Sequence, residues 1–161
     1  ELETIAMASN HGFSAEAELA WPRKVQNLAL LSNHKMKLTS LFHNAPKLRR
    51  LMIGSNSETE LSSRCLSSLP NLEQVSLAGE FANSDRCSEL QQNNIQSISI
   101  HKSQSTDFIE SLITTSPELK VFLGTEGLTK QLSANSQKVL QRILAGQASP
   151  SNCWTSALVN F

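Results

Sequence analysis

Cys87 has the most suggestive surroundings for covalent chemistry. It lies in Asp85-Arg86-Cys87-Ser88-Glu89, beside a charge of the kind that activates a thiolate nucleophile. Such a nucleophile needs a base within reach, and no histidine stands near it in the repeat geometry that follows from the apolar spacing. Helical spacing instead makes Cys87 a core neighbour of Leu90. The histidines, His11, His34, His43 and His101, lack the cysteine or carboxylate spacing that a zinc site requires. Gly124-Thr125-Glu126-Gly127 lacks the lysine and the length of a phosphate-binding loop. The expectation is therefore no enzyme, no cofactor and no metal, and function must be sought in surfaces.

The elements that would present those surfaces repeat. Leu48-Arg49-Arg50-Leu51-Met52-Ile53-Gly54-Ser55-Asn56 alternates apolar and non-apolar positions and ends on an asparagine. Written L-x-x-Φ-x-Φ-x-x-N, with Φ apolar, the same pattern occurs at Leu2, Ile5, Met7, Asn10 and at Val25, Leu28, Leu30, Asn33. Three further copies start at Leu72, Ile95 and Leu119, with Glu80, Ser103 and Gly127 in the asparagine position. The starting positions 2, 25, 48, 72, 95 and 119 are 23 or 24 residues apart, a period at which each unit is one rung that buries its apolar edge against its neighbours. Strands are expected near residues 2–7, 25–30, 48–53, 72–77, 95–100 and 119–123, giving an array over residues 1–127. Prolines give a second sign of the same period. Pro22, Pro46, Pro70 and Pro117 each precede an expected strand by two or three residues, where a missing amide donor ends the preceding segment.

Between the strands the chain must return. Residues 14–20 read as a helix with Ser14 as N-cap, and residues 38–45 present one apolar helical face through Leu38, Leu41, Phe42 and Ala45. Leu61, Cys65, Leu66 and Leu69 face inward on the next return, whereas residues 84–92 offer only Cys87 and Leu90 and should be the thinnest part of the stack. Asp107 and Glu110 read as a capping box ahead of the stripe Phe108, Ile109, Leu112, Ile113. Residues 128–161 form an irregular repeat or cap. A helix is expected near 135–145, with Val139, Leu140, Ile143 and Leu144 inward and Gly146 as its stop, and a further strand at 154–159.

The array from Leu2 to Leu123 resembles a leucine-rich repeat domain. That resemblance implies an α/β solenoid with parallel strands on the concave face and short helices or irregular turns on the convex face. The openings Ala45-Pro46-Lys47-Leu48 and Ser116-Pro117-Glu118-Leu119 resemble those of intracellular arrays in F-box substrate receptors and plant-type immune receptors. Nothing in the chain matches an F-box or a nucleotide-binding domain. The resemblance therefore implies a fragment of a longer protein, and a start at Glu1, already on a strand, points the same way.

Composition narrows the partner. With 14 basic and 14 acidic residues there is no net field to draw the chain to nucleic acid or to an anionic membrane. No apolar run approaches the roughly 20 residues of a membrane span. Cys65, Cys87 and Cys153 are odd in number and far apart, and no Asn-x-Ser/Thr acceptor occurs, which favours an intracellular protein, cytoplasmic or nuclear. A monomeric array within a larger chain, binding a protein or peptide, is expected. Strand alternation predicts the exposed rows: Thr4, Asn27, Arg50, Gln74, Ser97, Val121; then Ala6, Ala29, Met52, Ser76, Ser99, Leu123; then Ala8, Leu31, Gly54, Ala78, His101, Thr125. The small residues of the central row make a shallow floor suited to protein rather than metabolite. The binding residues expected on this face are Asn27, Leu31, Arg49, Arg50, Met52, Gln74, Ser76, Ser99 and His101, with the arginines and Met52 at their centre.

Overall fold

A computed structural model describes residues 2–8, 22–31, 37–38, 45–54, 59–61, 66, 69–78, 81–82, 93–101, 106–124 and 126–146. The strands are β1 (Thr4–Ala8), β2 (Asn27–Leu31), β3 (Lys37–Leu38), β4 (Arg50–Gly54), β5 (Thr59–Leu61), β6 (Gln74–Ala78), β7 (Phe81–Ala82), β8 (Ser97–His101) and β9 (Val121–Leu123). The helices are α1 (Thr106–Thr114), between β8 and β9, then α2 (Glu126–Thr129) and α3 (Ala134–Gly146). Six strands form one sheet in the order β1-β2-β4-β6-β8-β9, every neighbouring pair parallel. One strand per repeat, laid beside the strand before it, is an α/β solenoid of the leucine-rich-repeat kind.

The alternating apolar residues explain why the strands stack. Leu28, Leu30, Leu51, Ile53, Val75, Leu77, Ile98 and Ile100 are between 0% and 2% exposed. Each such side chain contributes about 1.5–3 kcal/mol by leaving water. The leading apolar residues Val25, Leu48, Leu72, Ile95 and Leu119 are buried too, yet they precede the strands instead of starting them. The strands begin two residues later than the apolar pattern suggests, for a reason visible in the backbone. Leu48 N–H donates to Ala45 O at 3.1 Å and Leu72 N–H to Leu69 O at 3.2 Å, so the leading residue belongs to the turn. The next two amides then share one carbonyl of the rung before, as Arg49 and Arg50 N–H do on Gln26 O at 2.8 and 3.0 Å. That shared acceptor recurs at every rung boundary and starts each ladder in the same register.

The fifth rung closes its turn differently. It carries Asn93 two residues ahead of Ile95, where the third, fourth and sixth rungs have Pro46, Pro70 and Pro117. Ile95 N–H donates to Asn93 Oδ1 at 3.0 Å, so a side-chain carbonyl replaces the main-chain one used elsewhere. Asn93 also donates through Nδ2 to Thr115 Oγ1 at 3.2 Å and through its amide to Thr115 O at 3.0 Å. The buried Ser116 hydroxyl lies 3.0 Å from Asn93 Oδ1, which ties the fifth turn to the sixth. Asn71 and Asn94 stitch neighbouring rungs in a related way, donating to Pro46 O at 2.6 Å and Pro70 O at 3.1 Å.

A second parallel sheet, β3-β5-β7, runs along the return paths, and nothing in the sequence pattern announces it. Leu38, read as the start of a helical face, lies in β3 opposite Leu61 of β5. Leu41, Phe42, Cys65, Cys87, Leu90 and the helix expected at 14–20 lie outside the described residues. So do Asn10, Asn33, Asn56 and the strand expected at 154–159.

At the C-terminal end, α1 buries Phe108, Ile109, Leu112 and Ile113. The capping box does not form: Asp107 sits inside the first turn, and the Glu110 carboxylate instead accepts from the Ser133 amide at the start of α3. On α3, Ser136, Leu140 and Ile143 are buried, while Leu144 is 53% exposed, against the expectation that it faces inward. Positions 136, 140 and 143 are spaced four and three apart and share one helical face, from which Leu144 is rotated away.

Candidate protein-binding face

Backbone pairing brings the expected rows together. Thr4, Asn27, Arg50, Gln74, Ser97 and Val121 are successive partners across the sheet, as are Ala6, Ala29, Met52, Ser76, Ser99 and Leu123. Ala8, Leu31, Gly54, Ala78 and His101 make the third; Thr125 lies outside the described residues. Rows are separated by two residues along each strand, about 6.6 Å, and neighbours within a row by about 4.8 Å.

The face is not uniformly open. Thr4, Ala6, Ala8 and Gln74 are exposed, and Asn27, Leu31, Arg50, Met52, Ser76, Ala78, Ser97 and Ser99 are half-buried. Ala29 is a correction: it occupies the central row but is only 2% exposed. Its methyl is short, and its row neighbour Met52 and strand neighbour Leu31 carry longer side chains. Gly54 is buried as well. A Cβ placed there would lie 3.0 Å from Leu31 Cδ2 and 3.5 Å from Ala78 Cβ, so Leu31 leans across into the space that glycine leaves. The spacing argument passes over this interlock, although a glycine inside a strand, beside a leucine in the preceding rung, is a signal of it.

Of the polar residues, Asn27 Nδ2 donates to Thr4 Oγ1 at 3.0 Å, a bond within the first row. Arg49 precedes β4 and lies outside the rows, with its Nε 3.9 Å from Glu73 Oε1 and both side chains well exposed. Water screening makes that pair worth at most about 1 kcal/mol. It still gives Arg49 a counter-charge within the protein. Arg50, by contrast, has no side-chain hydrogen bond or ion pair among the described residues. The rows therefore offer one cation, flanked in its own row by the amides Asn27 and Gln74, with Met52 two residues along the same strand.

Among the described residues no group of three His, Cys, Asp or Glu is arranged to hold a metal ion. No helix among them is long and apolar enough to cross a membrane. Comparison with protein-family models, curated proteins and solved structures returned no match.

Proposed function

We propose that this chain is a protein-recognition module whose strand face holds a protein or peptide, serving as the substrate-selecting part of a larger assembly such as an F-box ubiquitin ligase. The observation carrying the proposal is the set of side chains aligned across six parallel strands, in which half-buried Arg50, Met52 and Leu31 surround a low floor at Ala29 and Gly54. Arginine and methionine are enriched at interface centres, and hot spots sit where such anchors meet a surface that excludes water. The ubiquitin-ligase assignment rests on the resemblance of the Pro-x-Leu openings. The same openings support the alternative of a sensing segment in an intracellular immune receptor. The odd, widely spaced cysteines support a location inside the cell for either.

Affinity capture from cells with the wild-type chain, Arg50→Glu and Ser76→Trp tests this reading. One specific partner should be held by the wild type and lost at least tenfold with both variants, with circular dichroism showing each still folded. Identical partner sets for the three proteins would reject a recognition role for this face and leave a structural spacer.

A further inference from the structure

The chemistry of the partner can be read from the balance of groups on the strand face. The three rows on the described strands contain one side chain that is formally charged at neutral pH, Arg50; the others are alanines, serines, amides, a threonine, a histidine, a glycine and aliphatic or thioether groups. The neighbouring Arg49 has Glu73 beside it at 3.9 Å, whereas the Arg50 side chain has no such counter-charge among the described residues. A half-buried guanidinium that loses further water when a ligand docks needs an anionic group in return, and its planar fork fits a carboxylate. Two residues along the same strand lies Met52. Beside it are the buried Ala29, its row neighbour, and Leu31, whose Cδ2 stands 3.0 Å from where a Cβ on Gly54 would be. A cation and an apolar shelf are thus offset by about 6.6 Å along β4, the distance between side chains two apart on an extended chain.

On the reading above that this face binds a protein or peptide, we propose that its ligand is an extended segment. In that segment an Asp or Glu stands two residues from a large apolar side chain, the carboxylate on Arg50 and the apolar group on Met52 and Leu31. The amides of Asn27 and Gln74 flank the carboxylate in the same row. The lack of other charge on the face explains why one acid is enough and a strongly acidic tract is not needed.

Panning a displayed library of random twelve-residue peptides, about three to four nanometres when extended, on the immobilised chain tests this. Retained peptides should be enriched in Asp or Glu two positions from Leu, Ile, Met or Phe. A retained peptide should bind Arg50→Ala at least tenfold more weakly. Changing its acid to the corresponding amide should cost about the same on the wild-type chain and little on the variant. Panning on Arg50→Glu should return Lys or Arg in place of the acid. Peptides that are lost with Ser76→Trp but show no acidic enrichment and bind Arg50→Ala as well as wild type would overturn the acidic ligand and leave recognition standing. No retained peptide on a chain shown to be folded would overturn both.

Discussion

Ile5 and Ile98 occupy the same place in their repeats, and they have different fates. Ile98 is fully buried, with β6 on one side of its strand and β9 on the other. Ile5 is half-buried: among the described residues β1 has a strand neighbour at β2 and none on its other side, and the preceding Leu2 is 57% exposed. At the other end of the sheet, β9 also has a single strand neighbour among the described residues, yet Phe122 is 3% exposed. There α3 packs against β9 and α1 and contributes Leu140 and Ile143 to the core. An apolar repeat therefore does not bury itself. It needs cover on both sides, and a helix provides that cover as well as a strand does.

The largest effect that can break this comparison comes from truncating the same residue type at the same repeat position. Ile98→Ala should lower stability by about 3–5 kcal/mol, because a sealed site cannot collapse around the lost methyl groups. Ile5→Ala should cost about 1 kcal/mol, since much of the side chain is already in water. Urea unfolding of both variants measures the difference. Equal losses would mean that the first rung is as well covered as the fifth.

That pair also shows how far the sequence reads. The alternation of apolar residues fixes which side chains share a face, and the 23- or 24-residue spacing fixes which rung partners which. The pairing Asn27–Arg50–Gln74 was therefore legible from spacing alone. The second sheet was not, because strands as short as Lys37–Leu38 and Phe81–Ala82 are too brief for alternation to differ from a helical stripe. Ala29 is covered although it stands in an outward row, and a one-dimensional pattern of polar and apolar positions does not encode which row positions are covered. Leu144 was not legible either: Phe108, Ile109, Leu112 and Ile113 have the same spacing and are all buried on α1, so whether the last residue of such a stripe is covered depends on what packs beside the helix, which spacing does not encode.

A middle-sized effect sharpens the contrast by asking what fastens the covered end. Asn93 closes its own turn through Ile95 N–H and reaches Thr115 in the next rung. Asn93→Ala removes these two bonds and the one from the Ser116 hydroxyl and leaves the Ile95 amide without its acceptor, so a loss of about 1–3 kcal/mol is expected. Asn93→Asp keeps the oxygen that Ile95 uses but loses the amide donor to Thr115, and should fall between alanine and wild type. A loss for aspartate as large as for alanine would show that the amide bond to Thr115, not the oxygen shared by Ile95 and Ser116, holds this end together.

The smallest effect concerns the cover alone. Ser133 precedes α3, its Oγ accepts from the Ser136 amide at 3.3 Å, and its own amide is taken by the Glu110 carboxylate from α1. Both contacts satisfy donors at a helix start that the helix itself leaves unpaired, and the carboxylate opposes the positive end of the helix dipole. Ser133→Ala should therefore cost about 1 kcal/mol, with the loss confined to α3 and the rung beneath it. Native-state hydrogen exchange should show faster exchange at α3 and β9 amides and unchanged rates in β2 and β4, because neighbouring rungs pass on a disturbance only through their shared interface. Faster exchange throughout the sheet would mean that the helix holds the whole stack in place instead of sealing its last rung.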